Sequence, residues 1–199
     1  MNEAVKNPVR LATTQAAEGV PRLRWTTADL IRMTDLGIFH AEDRIELIGG
    51  QIVPMSPISR RHEVVAETIE NYFDDKTVAG IRVRGSPQFN LADDTYVEPD
   101  IMVYPRTTLS YDVRGDTVLL VVEVAVSSLA YDLGAKALTY AKAGVRDYWV
   151  VNAETLATRV HRAPGPDGFG DVREMAPLRP IVPLLVPELA ITMNELGLS

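Results

Sequence analysis

From Trp25 onward the chain alternates between short apolar runs and longer stretches of helical period. TTADLIRM carries a threonine cap before an acidic first turn, which predicts a short helix. RIELIGGQIVPM sets two β-branched-rich runs around Gly49-Gly50, and paired glycines supply the positive φ angles of a tight turn, so a hairpin of strands 44–48 and 51–55 is expected. SRRHEVVAETIENYFDDK places Val64, Val65, Ile69, Tyr72 and Phe73 at helical spacing behind Ser59 as cap. IRVRGSPQFNL, YVEPDIMVY and TVLLVVEVAV then read as three strands, the last apolar enough to be buried on both faces.

YDLGAKALTYAKAG reads as a second long helix stopping at Gly144, and the helix makes the following strand, VRDYWVVN, parallel to a buried neighbour. A hairpin of TRVHR and DVREM around the turn-rich APGPDGFG and a last short helix near Met193 complete the pattern. Residues 1–22 show no hydrophobic period and end near Pro21, so 1–24 is expected to be a flexible leader and 25–199 a single α/β domain.

Composition narrows the chemistry. Of the 199 residues none is cysteine, which removes disulfides, thiolate zinc sites and cysteine nucleophiles. Any metal must be held by Asp, Glu, His or backbone oxygen, and such hard donors favour Mg2+ or Mn2+. The net charge of −7 argues against non-specific nucleic-acid binding, unless a local stripe such as Arg60, Arg61, Arg82 and Arg84 offsets it. No apolar run reaches the length of a membrane span and the amino terminus lacks a signal-peptide core, so a cytoplasmic protein without membrane contact is expected.

Glu123 is the most informative position, because an ionised carboxylate inside VLLVVEVAV must be compensated. A paired arginine or lysine would do so, and so would a metal or a catalytic role. Asp100 follows Pro99 in EPDIMVY, the next strand in sequence, and two carboxylates that converge repel unless a cation or a shared proton lies between them. Asp132, Lys136 and Tyr140 follow one another at four-residue steps, so they share a helix face: a surface ion pair, or the positive side of a site. Glu46, before the hairpin turn, and His62, at the start of the first long helix, could approach from the amino-terminal side.

ELIGGQI, the His62 helix, QFNLADDTYVEPDIMV, VVEVAVSS, D-x-x-x-K-x-x-x-Y and AGVRDYWVV together resemble the Uma-two family of predicted restriction endonucleases over about residues 25–199. The resemblance implies the PD-(D/E)XK restriction-endonuclease-like fold, a central mixed β-sheet flanked by helices, here with added amino-terminal and carboxy-terminal hairpins. It implies a magnesium-dependent nuclease acting on DNA, with Asp100, Glu123 and Lys136 as catalytic residues. Asp100, Glu123 and Glu46 would be metal ligands, and His62, Asp132, Tyr140 and Gln88 would support them. The usual superfamily lysine two residues after the acid is replaced by Ala125, so Lys136 would have to reach the same space from the helix. An inactive nucleic-acid-binding or interaction module is the alternative. The exposed hairpins permit a homodimer.

Overall fold

A computed structural model describes residues 23–40 and 43–198; all but the last two residues of the expected leader lie outside them. The expected short helix is α1 (Thr27–Asp35), where Thr26 and Asp29 form a reciprocal capping box. The first hairpin is β1 (Ile45–Ile48) and β2 (Gln51–Pro54). Gly49 and Gly50 both have positive φ, as the tight turn requires, and a Cβ on Gly50 would lie 2.8 Å from Cβ of Arg24. Ser59 caps α2 (Arg60–Asp75), which buries Val65, Ile69 and Phe73.

Between α2 and the next helix the chain forms five strands rather than three. They are β3 (Ile81–Gly85), β4 (Phe89–Ala92), β5 (Thr95–Val97), β6 (Ile101–Pro105) and β7 (Leu120–Ala125). IRVRGSPQFNL breaks at Ser86, which has φ of 42°, and at Pro87. YVEPDIMVY breaks at Glu98-Pro99-Asp100. Each break carries the chain from one sheet to another, where a proline has no N–H to leave unpaired. Asp100 therefore lies just before β6 and not within a strand as expected.

Two sheets result. A small antiparallel sheet has the order β2-β1-β5-β4. The large mixed sheet has the order β10-β9-β8-β7-β6-β3, with β8 (Asp147–Asn152), β9 (Thr158–Gly165) and β10 (Gly168–Met175). β8 runs parallel to β7, as the intervening helix demands, and the β9–β10 hairpin extends the large sheet. The tail ends in a 3-10 turn at Met193–Leu196.

Period-two alternation decides which way the central strands point. Leu120, Val122 and Val124 of β7, with Trp149 and Val151 of β8, pack on α2 and the carboxy-terminal tail. Val121, Ala125, Tyr148 and Val150 face the opposite side, where Tyr140 and Phe89 cover them. Glu123 belongs by parity to this second face. Among the described residues no helix is long and apolar enough to cross a membrane.

The second face also buries His161, whose ring packs at a tilt against Tyr148 and Phe169, 5.3 and 5.5 Å between ring centroids. Burial holds its imidazole below its usual range. Only the unfolded chain then takes up a proton near pH 6.5, so the stability contributed by neutral His161 is present above that pH and falls as pH drops below it. His161→Gln is expected to flatten the acid side of the stability curve between about pH 6.5 and 5, measured by urea unfolding across that range.

Candidate active site

The helical segment after β7 is what turns a buried carboxylate into a site. It comprises α3 (Leu129–Tyr131), a π turn (Asp132–Lys136) and α4 (Ala137–Lys142), and Gly144 follows with positive φ. This segment packs on the face to which Glu123 points, so Asp132, Lys136 and Tyr140 are all buried. The Lys136 ammonium lies 2.9 Å from Glu123 Oε1 and 2.8 Å from Glu46 Oε1. The helix thus folds back onto the β7 strand and brings the Lys136 ammonium to Glu123.

Tyr140 donates its hydroxyl to the same Glu123 Oε1 at 2.8 Å, which among the described residues leaves Oε2 as the oxygen open to a further ligand. Glu46 is held by Lys136, by the Glu98 N–H at 3.1 Å and by the Tyr131 hydroxyl at 3.4 Å. Asp100 sits beside β7: its Oδ2 accepts the Val124 N–H at 2.7 Å, and its Oδ1 lies 3.0 Å from His62 Nε2. The antiparallel pairing of Ile101 with Val122 puts the Pro99-Asp100 break next to Glu123. The two carboxylates line one cavity of about 140 Å³, together with Glu46, His62, Asp132 and Lys136.

Electrostatics here is set by burial and by the carboxylate excess. Burial alone would depress the Lys136 ammonium, yet Glu123, Glu46 and Asp132 more than reverse it, so the lysine stays charged. Burial pushes Glu123 well above the usual carboxylate range, and the neighbouring Asp100, Asp132 and Glu46 add to the rise while Lys136 opposes it. Asp132 is raised for the same first reason, against Lys136 and a hydrogen bond from Ser128.

Of the residues singled out in the sequence, Asp100, Glu123, Lys136, Glu46, His62, Asp132 and Tyr140 come together. Gln88 does not line the cavity: it is exposed and hydrogen-bonds Tyr96. Tyr96 in turn donates to Glu98, which links Gln88 to Glu46 only at a distance. Of the four arginines considered for a basic stripe, Arg61 is held by the Ala153 and Leu198 carbonyls, and Arg82 and Arg84 lie exposed on β3. None of the four lines the cavity, whereas Arg44 does.

Tyr131 and Glu98 were not evident in the sequence. Tyr131 precedes Lys136 by five positions, which a straight α-helix turns away from the lysine's face. The π turn, with its i to i+5 repeat, brings the tyrosine back toward Glu46. Its signal lies in the short YDLGAK block, where Gly134 weakens a regular helix.

The donor set is mostly hard carboxylate oxygen, with one borderline histidine nitrogen. Among the described residues no group of three or more His, Asp or Glu is gathered to hold a metal ion. Mg2+ commonly takes one or two carboxylates and keeps its waters, so a site offering Asp100 and Glu123 Oε2 fits that ion without a full protein cage.

Comparison with known proteins bears on the fold and the family. A crystal structure described as a putative nuclease belonging to DUF820 from Anabaena variabilis ATCC 29413 superposes with a TM-score of 0.70 at 15% identity, covering 86% of this chain and 96% of that one. At that identity the likeness is one of fold. Among curated proteins none matches the chain. The family model for Uma2, described as putative restriction endonuclease, matches residues 27–194, and the chain therefore belongs to the Uma2 family.

Proposed function

We propose that the cavity is the active site of a magnesium- or manganese-dependent nuclease that hydrolyses phosphodiester bonds, with DNA as its substrate. The observation that carries this reading is the buried Lys136 ammonium, held by Glu46 and Glu123 in the cavity that Asp100 also lines. The family description and the nuclease fold support it.

In this mechanism a water oxygen bonds to phosphorus as the bond from phosphorus to the leaving sugar oxygen breaks, and the water's proton ends on that oxygen. Asp100 and Glu123 Oε2 would be the protein donors to a magnesium ion, which would supply Lewis acidity at the phosphate. Lys136 offers fixed positive charge for the additional negative charge that develops on the phosphoryl oxygens. Glu46 and Glu123 hold the ammonium, Tyr131 and Tyr140 hold those two carboxylates, and the Val124 N–H fixes Asp100. His62 braces the other Asp100 oxygen. The protein groups are set before substrate arrives.

Mn2+ titration by calorimetry tests the metal assignment. Wild type is expected to bind Mn2+, and Asp100→Asn to bind it at least about 100-fold more weakly, since loss of even an outer partner of a metal ligand costs 10 to 100-fold. Equal Mn2+ affinity in the two proteins contradicts it.

A further inference from the structure

We propose that this site takes an unpaired, single-stranded segment of nucleic acid and not an intact duplex; the inference rests on the nuclease reading above. Two independent features carry it, the depth of the reacting groups and the scarcity of free positive charge among the described residues that line their cavity.

Glu46, Glu123 and Lys136 are only 2%, 3% and 4% exposed, and they lie in a cavity of about 140 Å³. A scissile phosphate must come down to them past Asp100 and His62, whose side chains are 11% and 16% exposed at the mouth. A duplex is a stiff rod with a persistence length of about 50 nm, and drawing one of its phosphates into a narrow recess means kinking or opening it. A single strand turns at each nucleotide and can lower one phosphate while its bases remain at the mouth. Ile58 and Val126 line the cavity and are 47% and 37% exposed. Apolar side chains there suit the faces of unpaired bases, which a duplex keeps stacked inside.

Charge points the same way. Glu46, Glu98, Asp100, Glu123 and Asp132 line the cavity, against Arg44 and Lys136, with His62 beside Asp100. Lys136 is already engaged by two carboxylates. Among the described residues Arg44 remains as the lining cation for a phosphate, its side chain making one long contact of 3.4 Å to the Ser56 carbonyl. A duplex-binding surface neutralises many phosphates at once, about six to ten in strong binders. One or two such contacts suit a short strand segment carried in with a divalent cation.

The test compares a fluorescein-labelled 20-nucleotide single strand with the duplex of the same sequence, using the full chain. Binding is followed by anisotropy in Ca2+ and cleavage in Mn2+. The single strand is expected to bind and be cut at least about tenfold better than the duplex. Its log affinity should fall with log salt at a slope of about −0.7 to −1.4, corresponding to one or two phosphates. Arg44→Ala should make that slope shallower by about 0.7. Ile58→Asp, in an exposed loop position, should weaken single-strand binding at least about fivefold.

Equal or better cutting of the duplex, or a slope as steep as about −5, overturns the single-strand inference and leaves the nuclease reading intact. Cleavage of bis(p-nitrophenyl) phosphate with neither nucleic acid cut overturns both the inference and the nuclease reading in favour of a small phosphodiester. Absence of any phosphodiester cleavage overturns the proposed function itself.

Discussion

Lys136→Met is expected to lose about 3 to 5 kcal/mol of folding stability at pH 7, the usual cost of removing one partner from a buried ion pair. The wild-type ammonium is 4% exposed and compensates Glu46 and Glu123 at 2.8 and 2.9 Å. Methionine fills much of the volume but leaves those carboxylates facing each other, with Asp132 nearby. A loss of this size is a large share of the total stability of an ordinary domain.

The pH dependence gives the mechanism away. The Lys136 pKa is raised in the fold, so its contribution is fully present below its unfolded value of 10.5 and is lost only at higher pH. The lysine's own contribution is therefore flat across neutral pH. The deficit of the variant shrinks as pH falls through the raised Glu123 value and is smallest below about pH 4.5, because protonation relieves the carboxylate left without a cation. Urea unfolding at pH 4 and pH 7 measures both. Adding Glu123→Gln to Lys136→Met should restore at least about 1 kcal/mol, a coupling expected of groups in direct contact.

Glu123→Gln should do the opposite: it keeps the fold and loses the reaction. The amide is isosteric, can still accept from Tyr140, and leaves Glu46 as partner to Lys136. Burial and like charges raise the Glu123 pKa well above 4.5. A raised carboxylate contributes most below its unfolded pKa, and that stability is lost as pH rises through the folded value. The neutral amide escapes this loss, so the variant should match or exceed wild-type stability at pH 7 and above, and show no such gain below about pH 4.5. Cleavage should fall at least about 100-fold, because a direct oxygen donor to the metal is gone. Circular dichroism melts beside a cleavage assay separate the two effects. A Glu123→Gln protein that unfolds but, where folded, cuts normally would show the carboxylate to be structural.

How much of this could be read from the residues depends on the range of the interactions involved. Glu123 was legible because one ionisable group in a nine-residue apolar run needs compensation, and alternation along β7 alone fixes its face. Lys136 and Tyr140 were legible because four-residue spacing survives from sequence to helix face. Asp100 was found, but its place was misread: Pro99 ends a strand instead of sitting in one, and β5 and β6 belong to different sheets. The small sheet was not legible as a unit. Its pairing of β1 with β5 joins Leu47 to Tyr96, a distant contact no local pattern encodes. Tyr131 and Glu98 depend on the π turn and on that sheet, so their approach to Glu46 emerges only from tertiary structure.

On the proposed function, Asp100, Glu123 and Lys136 form one phosphodiester-cleaving centre. Incubating the purified full chain with a labelled single-stranded DNA in Mg2+, beside Asp100→Asn, tests it most directly. Cleavage by wild type is expected to stop when the metal is chelated and to fall at least about 100-fold in Asp100→Asn. Cleavage at the wild-type rate by Asp100→Asn, or a folded wild-type protein that cuts no phosphodiester with either Mg2+ or Mn2+, would contradict it.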